Sequence, residues 1–137
     1  MLGLLVAIAL AGQPPAWIQR AKVPPPIVAG RLADVLGTPV VEGIAVDRDS
    51  TAGTLTISVV DSRFDPPRIV RQRALRGSRV RWLRAGTRDG LARSQIAVGA
   101  AGRARQTGYL LRVGRRSRLD VIRTITGRII SPRAFSR

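Results

Sequence analysis

The sequence predicts an all-β protein, an antiparallel Greek-key sandwich or barrel of about seven strands, entered through an extended Pro-rich N-terminal segment. Three observations predict it. Thr54 to Val60 (TLTISVV) alternates Leu55, Ile57 and Val59 with Thr54, Thr56 and Ser58, the period-two pattern of a strand buried on one face. Short Val, Ile and Ala runs upstream are broken by Gly30, Gly37-Thr38-Pro39 and Gly43, at the spacing of strands and tight turns. Between Gly53 and Ser131 no stretch sustains the apolar stripe of an amphipathic helix. The 137 residues suit a single domain, and with 45% hydrophobic but only 4% aromatic residues its core must be built from Val, Ile, Leu and Ala.

In chain order, residues 1–11 (MLGLLVAIALA) form an apolar run that ends in the small-x-small pattern of a signal-peptide cleavage site. No Lys or Arg precedes the run, and it is short for a signal. Export therefore stands beside a cytoplasmic or particle-associated location, in which the run would dock on the core or on a neighbour. It is far shorter than the roughly 20 apolar residues of a transmembrane helix. Residues 12–26 carry Pro14-Pro15 and Pro24-Pro25-Pro26, whose fixed φ and missing N–H groups favour an extended linker. Residues 27–131 are assigned to the β-sandwich domain. Ala29 to Leu36 could also be read as a helix. Within the domain, Arg79 to Leu83 places Arg79 and Arg81 opposite Val80 and Trp82, predicting a basic face outward and an apolar face inward. Tyr109 to Val113 and Leu119 to Ile130 are further strands, with Gly114 and Gly127 as turn or bulge positions. No repeat of fixed period is apparent. Residues 132–137 read as a basic tail that orders against a partner.

Two local resemblances follow from quoted residues. Ile27 to Asp49 resembles the opening strands of carboxypeptidase regulatory-like β-sandwich modules. Thr54 to Thr87 resembles the first half of a cupredoxin, through Phe64, Asp65, Pro66, Pro67, Ile69, Gly77, Val80 and Trp82. The second resemblance implies that Phe64 plugs one end of a sandwich, that the prolines turn the chain between sheets, and that Trp82 lies in the core. The copper ligands of that family, two His and a Cys, have no counterpart here, so the resemblance implies a metal-free relative.

Charge is the strongest functional signal. Of the 23 arginines, 20 lie between Arg63 and Arg137, where the only acids are Asp65, Asp89 and Asp120, so this part carries about +17. The densest stretches are Arg68, Arg71, Arg73, Arg76, Arg79, Arg81, Arg84 and Arg88, and then Arg112, Arg115, Arg116 and Arg118. Two-residue spacing at Arg71/Arg73, Arg79/Arg81, Arg103/Arg105 and Arg116/Arg118 suggests rows presented outward from strands. Guanidinium groups bind phosphate and carboxylate bidentately, so the expected partner is an anionic surface: nucleic acid phosphate, an acidic protein face or an anionic polymer. The competing readings are coding bias and a place in a larger assembly, virion or ribosome-associated, with protein neighbours around the apolar N-terminus. Trp17, Phe64, Trp82, Tyr109 and Phe135 are too few, and Phe64 and Trp82 too committed to a core, for a base-stacking platform.

The chain has no Cys and no His. That removes disulfides, thiolate nucleophiles, the commonest general base and the usual zinc and copper ligands. No catalytic residue, cofactor or metal site is expected. Asp47-Arg48-Asp49 reads as a solvated turn and Gly99 to Gly102 as a flexible connection. Asp61, Asp65 and Asp89, set among arginines, are expected to be ionised and charge-paired.

Overall fold

The computed structural model describes residues 16–38 and 40–136. The apolar run of residues 1–11 lies outside the described residues. Among those described, eight strands make two four-stranded antiparallel sheets, one of β1 (Ile27–Ala33), β2 (Glu42–Asp49), β3 (Thr54–Asp61) and β4 (Arg68–Arg76), the other of β5 (Arg79–Ala85), β6 (Gln95–Ala101), β7 (Gln106–Val113) and β8 (Leu119–Gly127). The expected all-β, antiparallel architecture is what the chain forms. Strand order is sequential in each sheet, so each is a meander, and neither contains a Greek-key return.

Leu55, Ile57 and Val59 are fully buried between the sheets against Ile44, Val46, Leu83, Ile96, Val98 and Leu111, as their alternation requires. The central hairpin of each sheet repeats this packing 52 residues on: Val46 opposes Ile57 in the first sheet, and Val98 opposes Tyr109 in the second. The outer pairs do not keep that displacement, since Ile44 opposes Arg31 whereas Ile96 opposes Ala85 rather than Leu83. Identity across the two halves is sparse, Ile44-Ala45-Val46 against Ile96-Ala97-Val98 being its clearest trace, because any apolar side chain of suitable size can hold an inward position.

Both sheets are also covered on their outer faces. Helix α1 (Ala16–Arg20) and the chain after it pack Ile18 and Val23 onto Ala45 and Val60, with Trp17 lying on Gly43 so closely that a Cβ there would sit 2.4 Å from the indole. Part of the segment expected to be extended is therefore helical and docked, because its apolar residues find a small-residue face to cover. The second sheet is covered by Trp82, Ile130 and Phe135 over Ala97 and Leu110. Gly99 lies under Trp82 and Gly108 under Phe135. The C-terminal residues thus order against the chain's own sheet, through the short 3-10 turn Pro132–Phe135.

Trp82 corrects the simple reading of alternation. Each of the four edge strands carries one extra residue in its pairing: Val28 in β1, Val70 in β4, Arg81 in β5 and Ile122 in β8. At Arg81 two residues of β5 oppose one of β6, so the face changes between Val80 and Trp82. Val80 packs against the inter-sheet core, whereas Trp82 is buried on the outer face, where its Nε1 donates to Ile130 O at 2.8 Å. Such bulges, together with arginine along the edges, oppose edge-to-edge association.

Three further expectations are corrected. Ala29 to Leu36 is not helical, since β1 runs through Ala33. Asp47 is buried in β2 rather than placed in a solvated turn, and Gly99 to Ala101 belongs to β6 rather than to a flexible connection. Asp49 does make the turn, accepting from Thr51 N at 3.0 Å and Ala52 N at 3.1 Å.

Candidate functional site

The sheets meet along two seams, β1 beside β5 and β4 beside β8. The chain passes between them at Gly77-Ser78, where Gly77 has φ 152° and a Cβ would fall 2.8 Å from the Ala100 methyl group. The first seam is held by an ion pair. Arg31 Nε donates to Asp89 Oδ2 at 2.6 Å, Ala85 N donates to the same oxygen at 2.7 Å, and both side chains are largely buried. Arg88 lies beside this pair, lining a cleft with Asp34 and Val41.

The second seam is where the arginines gather. In the β3–β4 register Arg71 opposes Val59 and Arg73 opposes Ile57, so both belong to the inward face of an edge strand. The expectation that this pair projects outward is corrected. Arg71 Nε donates to Gly114 O at 3.0 Å, Arg73 Nη1 to Leu119 O at 3.4 Å, and between them Gln72 N donates to Ser117 O at 3.1 Å. These acceptors flank or belong to the β7–β8 hairpin, which itself presents Arg115, Arg116 and Arg118 to solvent. Five arginines thus lie along one short stretch of seam. Carbonyl acceptors fix the geometry of Arg71 and Arg73 without neutralising their charge. The nearby carboxylate that does neutralise is Asp120, bonded to Arg118 at 2.9 Å.

The remaining arginines are distributed elsewhere. Arg76 ends β4 farther along the same seam. Arg68 lies at the start of β4 with its guanidinium 4.6 Å from the centre of the Phe64 ring. Phe64 is 39% exposed, so the expected plug of the sandwich is a surface platform for Arg68 instead. Pro66 and Pro67 lie between β3 and β4, inside one sheet rather than between sheets. Arg79 and Arg81 are exposed on β5, beside β1, and Arg84 is half-buried there with Nη1 on Leu83 O. Arg112 is exposed on β7.

Four of the eight carboxylates pair with arginine. Asp61 is buried and its oxygens accept from Arg63 Nε and Nη2, which holds its carboxyl below the usual 3.8 against the opposing effect of burial. Asp65 pairs with Arg20. Asp61, Asp65 and Asp89 are thus charge-paired, as their surroundings suggested. Buried Glu42 is structural: its Oε1 accepts from Val35 N at 2.8 Å and Leu36 N at 2.9 Å, and its Oε2 from the Thr38 hydroxyl. Sequence reading missed Arg103, Arg105, Thr107, Tyr109, Thr124 and Thr126 as site residues. They come together with Arg76 at the open end of the β4–β8 seam. The Arg103/Arg105 spacing was a visible signal, whereas the hydroxyls meet only through tertiary structure.

No family model matches the chain, and no curated protein or solved structure matches it either. No helix among the described residues is long and apolar enough to cross a membrane.

Proposed function

We propose that this protein is a non-catalytic, metal-free binding or structural module whose arginine-rich C-terminal half contacts a polyanion. The observation that carries the reading is the convergence of Arg71, Arg73, Arg115, Arg116 and Arg118 on the β4–β8 seam, with Asp120 as the carboxylate bonded among them. Basic side chains scattered by composition alone have no reason to be held by edge-strand register and carbonyl anchors beside a basic hairpin. A repeating anion meets such a row by releasing condensed counterions, which gives strong, salt-sensitive and largely sequence-independent affinity. The buried ring of Trp82 leaves little aromatic surface for reading bases. The likeness to cupredoxins over Thr54 to Thr87 enters as a proposed kinship of scaffold only.

The test is binding of duplex DNA and of a sulfated polysaccharide across a salt series. Engagement of about five phosphates predicts a slope of log K against log salt of roughly −4 to −5 on duplex DNA. Replacing Arg115 and Arg116 with Gln reduces that slope by about 2. A salt-independent affinity, or no binding to either polymer at low salt, rejects the reading.

A further inference from the structure

Past Arg73 the β4–β8 seam opens, and between the end of β4 and the β6–β7 hairpin it becomes a groove of about 560 Å³. Its charged wall is the hairpin turn with Arg103 and Arg105, and the end of β4 borders it at Arg76, which opposes Thr54 in the β3–β4 register and so carries its side chain on the outer face. Its neutral wall is a set of hydroxyls, Thr107 on β7 with Thr124 and Thr126 on β8. In the β7–β8 register Thr107 opposes Thr126 and Tyr109 opposes Thr124, so these four side chains share one face of the second sheet. This is the face that elsewhere packs against the first sheet, left uncovered here because β4 ends. Ala100, Ala101 and Gly102 add small side chains that let a ligand approach closely.

The donor inventory decides what the groove suits. Arg103, Arg105 and three threonines line it, and among the described residues no carboxylate does. Tyr109 is already engaged, its hydroxyl donating to Arg76 O at 3.0 Å, which ties the end of β4 to β7 and positions the Arg76 backbone. A site rich in donors, fixed on strand ends and a tight hairpin, favours a compact anion with several equivalent oxygens. The groove's place on the continuation of the basic seam means that a chain lying along the hairpin arginines would reach it.

We propose that this groove seats a single tetrahedral oxyanion ester, a phosphate or sulfate group, through Arg103 and Arg105 with the Thr124 and Thr126 hydroxyls. The proposal deepens the polyanion reading by giving the extended contact one specific position. Flat electrostatic contact along the seam would supply affinity, while the groove would select tetrahedral ester groups over carboxylates.

The experiment titrates the full chain with pyrophosphate, sulfate and acetate, following backbone amide shifts by NMR, with isothermal titration for affinity. Expected are saturable shifts at Arg103–Arg105, Thr124 and Thr126 with pyrophosphate and sulfate, and none with acetate. The Arg103→Gln/Arg105→Gln variant, altered only at exposed turn positions, should weaken pyrophosphate about tenfold or more. The Arg115→Gln/Arg116→Gln variant should leave that affinity unchanged. Competition by a short oligonucleotide or by a short sulfated oligosaccharide tells which source of the ester is preferred, and displacement by either supports the seat. Shifts confined to the β7–β8 hairpin, equal response to acetate, or wild-type pyrophosphate affinity in the groove variant overturns the proposal. Pyrophosphate in the groove without polymer binding would retain the seat and remove the polyanion reading; salt-dependent polymer binding without groove shifts would do the reverse.

Discussion

Replacing Phe135 with Ala tests whether the C-terminal residues are a structural layer of this protein or an appendage. Phe135 is 5% exposed, its ring centre is 6.1 Å from that of Trp82 at an interplanar angle of 55°, and it lies against Gly108. Arg123 contributes a further contact, its guanidinium 5.8 Å from the ring centre. An aromatic side chain of this kind buries roughly 150 Å² or more, and at about 25 cal/mol per Å² its removal forfeits nearly 4 kcal/mol of transfer free energy. A compact unfolded chain already hides part of that area, and the short C-terminal turn can partly collapse into the space, which together reduce the loss to about 3 kcal/mol. For a domain of this size that corresponds to a fall in Tm of roughly 10 °C. Urea unfolding followed by tryptophan fluorescence and by far-UV circular dichroism measures it. Both probes should shift together, because Trp82 reports the contact while circular dichroism reports the strands. A loss under about 0.5 kcal/mol, the range of ordinary surface substitutions, would refute the layer. So would a fluorescence change without any shift in the urea midpoint, since the tail would then be docked but would carry no stability.

Two further perturbations probe the seam and the buried carboxylates. Arg31→Gln leaves Asp89 buried without its cation and should cost about 3 kcal/mol; a double-mutant cycle with Asp89→Asn should show strong coupling, and additive effects would mean that the pair does not hold β1 to β5. Asp47 and Asp61 should respond to pH in opposite senses. Burial raises the Asp47 carboxyl above 3.8 and its Oδ1 has no partner among the described residues, so Asp47→Asn should stabilise by about 1 kcal/mol at neutral pH, a gain that shrinks as pH falls below the raised value and is gone below 3.8. Hydrogen bonding to Arg63 lowers the Asp61 value, so the stabilisation it supplies is complete above 3.8 and is lost as pH falls through the lower folded value; Asp61→Asn should therefore destabilise at neutral pH and converge with the wild type in strong acid. Urea midpoints measured between pH 2 and 7 check both, and parallel curves for the two variants would contradict the assignment.

Composition and local pattern were enough to establish that the chain is all-β, that β3 buries Leu55, Ile57 and Val59, and that its C-terminal half is strongly basic, because each depends on side-chain period or on counting charges. The eight strands assigned to the structure overlap every run that the alternation and the turn residues marked, although the run from Leu119 to Ile130 stops as a strand at Gly127. What sequence could not show is which face an edge residue takes once a bulge intervenes. A single extra residue at Arg81 turns Trp82 away from Val80, and nothing in R-V-R-W-L marks it. The inward placement of Arg71 and Arg73 is of the same kind: alternation says they share a face, but only pairing with Val59 and Ile57 says which one. The apolar residues of α1 and of the C-terminal turn read as spacer and tail because their partners, Gly43 and Gly108, offer no side chain that a pattern could register. Fold class was therefore written in the local chain, since it follows from period and propensity. The site was decided by tertiary structure, since arginines far apart in sequence become neighbours only when β4 is laid beside β8.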